Sequence, residues 1–109
     1  ADLQQLRLAH RAVTVEPPVL DYINTVVRTT REWSTLAMGA SPRGAVALLV
    51  GSQSLALLLG RDFVVPDDVK RMAMPVLRHR ILLRPEAEVE GMQADQVLQQ
   101  VLQSLPVPR

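Results

Sequence analysis

Apolar positions recur at helical spacing along several stretches, and the breaks between them fall at proline and glycine. Leu3, Leu6, Ala9 and Val13 share one face, which predicts a first helix over residues 2–11. A residue before proline is pushed out of the helical region, so Thr14-Val15-Glu16 reads as an extended connector into Pro17-Pro18. Beyond it Val19, Ile23, Val26 and Thr30 form a stripe, widened by Leu20, Tyr22 and Val27. Asp21 near its start and Arg28 and Arg31 near its end have the signs the helix dipole favours. This is the cleanest amphipathic helix in the chain, ending near Glu32. Residues 33–40 show no sustained period and read as a loop with Trp33 as a core plug.

The stretch Gly39-Ala40-Ser41-Pro42-Arg43-Gly44 then leads into an apolar run that continues to Leu59. Ser41 is suited to cap a helix with its side-chain oxygen, and Pro42 suits the first helical position, where no N–H is needed. The run is apolar around most of its circumference, which predicts a central helix over 42–59 surrounded by other elements. Gly51 within it costs about 1 kcal/mol of helix propensity and points to a close helix crossing. Gly60 ends the helix, and Arg61-Asp62 makes a corner.

Phe63-Val64-Val65 reads as extended, and Pro66-Asp67-Asp68 opens another helix whose buried face is Val69, Met72 and Ala73. Pro75 is expected to break or kink it near Met74, with one more turn after it. Ile81-Leu82-Leu83 reads as a small strand paired with Val64 or Val15, residues 84–91 as charged and irregular. A last helix over 94–105 carries Val97, Leu98, Val101, Leu102 and Leu105, and Pro106 and Pro108 stop it. The fold class is mainly α: a small helical bundle with one or two very short strands.

Composition narrows this further. A length of 109 residues predicts one domain with one core. Only Tyr22, Trp33 and Phe63 are aromatic, so that core is built from Leu, Val, Ala, Ile and Met. The absence of cysteine excludes disulfides, thiolate metal sites and cysteine nucleophiles, and fits a reducing, cytoplasmic setting. A net charge of +1 leaves no strong electrostatic footprint for nucleic acid or an acidic membrane. The apolar run is broken by Gly51-Ser52-Gln53-Ser54 and is shorter than the roughly 20 residues of a membrane span. The chain opens at Ala1 without an initiator Met, as a fragment of a longer protein would.

Most candidate chemistry has a plain structural explanation. His10 and His79 have no partner at metal-ligand spacing. Asp67-Asp68 fits helix capping, and Glu86, Glu88 and Glu90 fit a solvated loop. None of Ser34, Ser41, Ser52, Ser54 and Ser104 lies in a nucleophile-elbow pattern, and no P-loop is present. Catalysis by this chain alone is therefore not expected, and no metal site is. Arg43 stands apart. A cation in the first turn of a helix opposes the dipole at a cost of about 0.3–1 kcal/mol. An anion beside it reverses that sign, and phosphate is the commonest anion at a helix start. The alternative is a solvated arginine whose stem covers apolar surface.

The order Thr30-Arg31, Gly39 to Gly44, apolar helix, Gly60-Arg61-Asp62-Phe63-Val64, Pro66-Asp67-Asp68-Val69 and Val76-Leu77-Arg78-His79-Arg80 resembles the C-terminal lid of MoxR-type AAA+ ATPases. It is also similar to the lids of magnesium-chelatase ATPase subunits. The resemblance covers nearly the whole chain, with Gly44 where such lids more often have Ala and Gln93 where Ser commonly caps the last helix. It implies that residues 1–109 are a single lid domain of a longer ATPase, whose Walker motifs lie on a separate core. It also implies that Gly39-x-Ser41-Pro42-Arg43 is a sensor 2 motif, with Ser41 and Pro42 fixing the helix start and Arg43 reaching the phosphate of ATP held with Mg on that core. Implied partners are the AAA+ core domain, a homo-oligomeric, hexameric ring and a von Willebrand factor A domain, in chaperone-like protein maturation. The competing function is a helical module that binds nucleic acid or protein without ATP, for which Arg7 and Arg11 offer a weak basic stripe.

Overall fold

The proline pair at 17–18 supplies the start of the best-patterned helix. This structure, a computed structural model, describes residues 9–108. The helix expected over 2–11 lies mostly outside them; the described residues of that stretch belong to a single 3-10 turn, Ala9–Ala12. α1 runs Pro17–Glu32 and buries Val19, Tyr22, Ile23, Val26, Val27 and Thr30. Leu20, expected on that stripe, stays 39% exposed, because it falls at its edge.

β1 is Leu36–Met38, inside the segment expected to be loop. α2 is Pro42–Leu58, α3 Pro66–Leu77, β2 Leu82–Leu83, α4 Pro85–Val89 and α5 Ala94–Ser104. β2 pairs antiparallel with β1, Leu36 opposite Leu83 and Met38 opposite Leu82, so its partner is neither Val64 nor Val15. The extended piece at 63 pairs elsewhere, in a parallel bridge to Thr14, where Thr14 N–H donates to the Asp62 carbonyl and Val64 N–H to that of Thr14. The β1–β2 ribbon roofs a small second core of Leu36, Leu83, Ala87 and Val97, with Trp33 half-buried at its margin. Trp33 thus plugs this satellite and not the main core. Residues 85–89, expected to be irregular, form α4, with Pro85 in its first turn and Glu86 and Glu88 at its positive end.

Of the break or kink expected at Pro75, the break is corrected, since α3 runs on to Leu77; a second expectation, about α2, is corrected as well. The carbonyl that Pro75 deprives of a partner belongs to Arg71, and both residues are outside the core, so water can take that bond. α2 is not surrounded: it buries only Gly44, Leu48, Ser52 and Ala56, one i,i+4 stripe. Val46, Leu57, Leu58 and Leu59 are exposed. Small residues on the inner stripe let α3 cross closely. A Cβ on Gly51 would lie 3.2 Å from Met72 Cε and 3.3 Å from Val76 Cγ2, the tight crossing expected there. α2 closes on Gly60 at φ +82°, with Arg61 N–H donating to the Ala56 carbonyl and Gly60 N–H to that of Leu57.

That turn delivers Arg61 to Asp68. The two form a double hydrogen bond of 2.7 and 2.6 Å, while Asp68 also accepts the Val65 N–H at 2.9 Å, capping α3. Burial alone would raise the Asp68 pKa. The Arg61 hydrogen bonds, the Val65 N–H and the charges of Arg61 and Arg71 outweigh it and hold the carboxyl below its ordinary range. A pKa depressed in the folded state stabilises the fold above the unfolded-state value, and this contribution is lost as pH falls through the folded-state value. Urea unfolding should therefore show the pair's contribution intact at neutral pH and declining below about pH 4. Arg61→Ala strands a buried carboxylate and should lower stability at pH 7, less at acid pH where Asp68 takes up a proton. Equal losses at pH 7 and pH 3 would refute the pairing.

Candidate functional site

Arg43 is the second residue of α2, and the segment before it is locked onto the end of α1. Thr30, a polar residue on the apolar stripe, is fully buried. Its hydroxyl donates to the Val27 carbonyl at 2.6 Å and accepts the Ala40 N–H at 2.9 Å. Arg31 donates from Nε to the Ala40 carbonyl at 2.8 Å, so both backbone groups of Ala40 are held by α1. Gly39 lies so close to the same helix that a Cβ there would sit 2.5 Å from Thr30 C and from Arg31 N and Cα. A side chain has no room, which is why glycine precedes this helix start. The direction of α2 is thereby set from α1, independently of the long apolar run.

Ser41 caps α2 in a different way from that expected. Its backbone is extended, its side chain makes no capping hydrogen bond, and its own carbonyl accepts the Gly44 N–H at 2.8 Å. Ser41, Pro42 and Arg43 are all exposed and contiguous, so the first turn presents a guanidinium at the positive end of the helix dipole.

Further arginines lie on the elements around this helix start, a proximity that spacing along the chain does not show. Arg28 and Arg31 of α1 line, with Pro42 and Ala45 of α2, a shallow cleft of about 180 Å³. Arg80, past the end of α3, lays its Cδ 3.8 Å from where a Gly44 Cβ would be. The ion pairs among the described residues are Arg61–Asp68 and Arg78–Asp95, so none of Arg28, Arg31, Arg43 and Arg80 is neutralised by a carboxylate there. Positive charges gathered at the positive end of a helix repel one another, and an anion bound among them relieves the repulsion. Guanidinium and N–H groups only donate hydrogen bonds, so this donor set fits phosphate oxygens and not a metal ion.

The remaining candidates are scattered. His10 lies in the 3-10 turn and His79 is exposed beyond α3. Among the described residues no three His, Asp or Glu side chains gather as a metal site, and no helix is long and apolar enough to cross a membrane. Gln93 does head α5, where its N–H donates to Gln96 Oε1 at 2.8 Å.

Residues 28–101, which contain the whole of this Arg-lined helix start and the α2–α3 crossing, match the family model of the AAA lid domain. The chain belongs to that family. Chaperone MoxR1 of Mycobacterium tuberculosis is 36% identical to the lid over 104 residues, 87% of this chain and 28% of its own. YeaC of Bacillus subtilis is 38% identical over 96 residues, 88% of this chain and 30% of its own. The fold is also that of part of a crystal structure assigned as an ATPase from Cytophaga hutchinsonii, with a TM-score of 0.86 at 32% identity over 92% of this chain and 33% of that one. The lid is thus of the MoxR type, and it spans about a third of the length of these relatives. At Gly44 a Cβ would approach that of Ala40 to 3.1 Å, a tight contact that glycine avoids.

Proposed function

We propose that this lid is the C-terminal domain of a longer MoxR-like ATPase and that Arg43 is its nucleotide sensor, reaching a phosphate oxygen of ATP bound with Mg on a core domain. The observation that carries the reading is the exposed, carboxylate-free Arg43 on a first turn pinned to α1 through Ala40. Catalysis of phosphoryl transfer is mainly positioning plus cations placed where charge sits on the transferred group. An arginine on a turn whose backbone is held in place supplies both. Its bond to a terminal phosphate exists in one nucleotide state and is lost in the other, so the angle between lid and core follows hydrolysis.

The exposed apolar side chains Val46, Leu57 and Leu58 of α2, with Leu59 just after it, support a lid that works against the core. Chaperone-like maturation of client proteins follows from the relative named a chaperone; a hexameric ring and a von Willebrand factor A partner extend the reading from the family resemblance. The test is the distance between a donor on the core and an acceptor on the lid of the full ATPase. Energy transfer should differ between a non-hydrolysable ATP analogue and ADP, and the difference should vanish in Arg43→Ala. A nucleotide-dependent change that survives in the variant overturns the assignment.

A further inference from the structure

α3 turns one face to α2, where Met72 and Val76 straddle Gly51, and buries Val69, Ala73 and Leu77 in the core. Lys70, Arg71 and Met74 fall roughly on the opposite side by helical arithmetic. There they meet Gln99, Leu102 and Gln103 of α5 across an open groove of about 310 Å³. Met74 and Leu102 make an apolar floor; Lys70 and Arg71 stand on one rim and Gln99 and Gln103 on the other. No carboxylate lines it.

We propose that this groove docks an acidic amphipathic helix of a partner protein, its apolar seam on Met74 and Leu102 and its carboxylates on Lys70 and Arg71. Charge complementarity selects this occupant. Lys70 is the only lysine of the chain, and it has no ion-pair partner among the described residues. Of the nearby acids, Asp68 is buried and held by Arg61, although Arg71 adds to its low pKa. Asp67 lies near enough to Tyr22 to join burial in raising the Tyr22 pKa. Asp95 pairs with Arg78 at 3.1 Å, beyond the groove. The two glutamines donate or accept as the partner requires, and a methionine floor adapts to different apolar side chains. Two cations over an apolar floor suit a helix laid in a groove. A nucleic acid would call for a longer basic track and gain nothing from the floor.

The groove is independent of the nucleotide reading, since it lies on α3 and α5 and uses none of Arg28, Arg31, Arg43 or Arg80. The test uses a fluorescein-labelled helical peptide with a leucine seam flanked by glutamates, its lysine-for-glutamate counterpart, and oligo-dT. The expected result is saturable binding of the glutamate peptide to the ¹⁵N-labelled chain, with amide shifts centred on Lys70, Met74, Gln99 and Gln103. The double variant Lys70→Gln, Arg71→Gln should bind about fivefold more weakly with an unchanged melting temperature, and added salt should weaken binding further. Equal binding of the lysine peptide, preference for oligo-dT, shifts centred on the exposed face of α2, or no saturable binding each overturns the proposal.

Discussion

Arg43→Ala in the full ATPase is expected to lower kcat for ATP hydrolysis by about one to two orders of magnitude, the usual effect of removing one cation or donor from a charge-stabilising site. The fold should not account for it. Arg43 is exposed and makes no hydrogen bond or ion pair among the described residues, so its removal forfeits no polar contact. Taking a cation from the first turn should even favour α2 by about 0.3–1 kcal/mol. The variant is therefore expected to melt no lower than wild type while turning over ATP far more slowly. If the contact is made mainly in the transition state, kcat and kcat/KM fall together; a rise in KM alone would mean a contact that only holds ATP. Arg43→Lys should recover part of the rate, because it keeps the charge and loses the planar fork. Unchanged turnover in Arg43→Ala would remove the site.

The second large effect is expected at Gly39. An alanine methyl there would meet the α1 backbone at 2.5 Å on three atoms, and backbone cannot swing aside as a flexible side chain can. The Ala40 segment must lift from α1, which breaks or stretches the hydrogen bonds from Ala40 to Thr30 and from Arg31 to Ala40. Overpacking of this kind costs about 1–3 kcal/mol, and losing the partner of a buried group adds about 1–3 kcal/mol. Such a loss lowers the melting temperature of a domain of this size by about 10 °C or more. Gly44→Ala is the control: its methyl would meet the Ala40 side chain at 3.1 Å and Leu77 Cδ2 at 3.4 Å, contacts that small movements relieve, so its effect should be far smaller. Gly39→Ala melting like wild type would show that the loop is not held as described.

Much of the helical frame was legible because its signals are local. α1 and α5 carry single apolar stripes bounded by proline, and both lie where periodicity puts them. β1 was not legible: three residues, Leu36–Met38, have too short a run to show a period, and only pairing with β2 makes them a strand. The misreading of α2 has another cause. Hydropathy records that a face is apolar, not that this chain covers it, and α2 leaves Val46 and Leu58 in solvent. Arg43 drew notice through a local conflict, a cation at the positive end of a helix. Thr30 carried a weaker signal, a hydroxyl on an apolar stripe, while nothing in the spacing brought Arg80 to Gly44.

Taken alone, the sequence determined where α1, α2 and α5 begin and that one arginine sits against its helix dipole, since capping, proline geometry and helical period act within a few residues. The tertiary structure alone decided where the turn that carries this arginine is held. The contacts that hold it, Thr30 and Arg31 on Ala40 and the bare Gly39 against α1, join residues about ten apart whose pairing depends on how two helices pack. It decided too that Arg28, Arg31 and Arg80 share the end of α2, and that Lys70 and Gln103 face each other over one groove. Such meetings depend on the packing of whole helices, which no local pattern encodes.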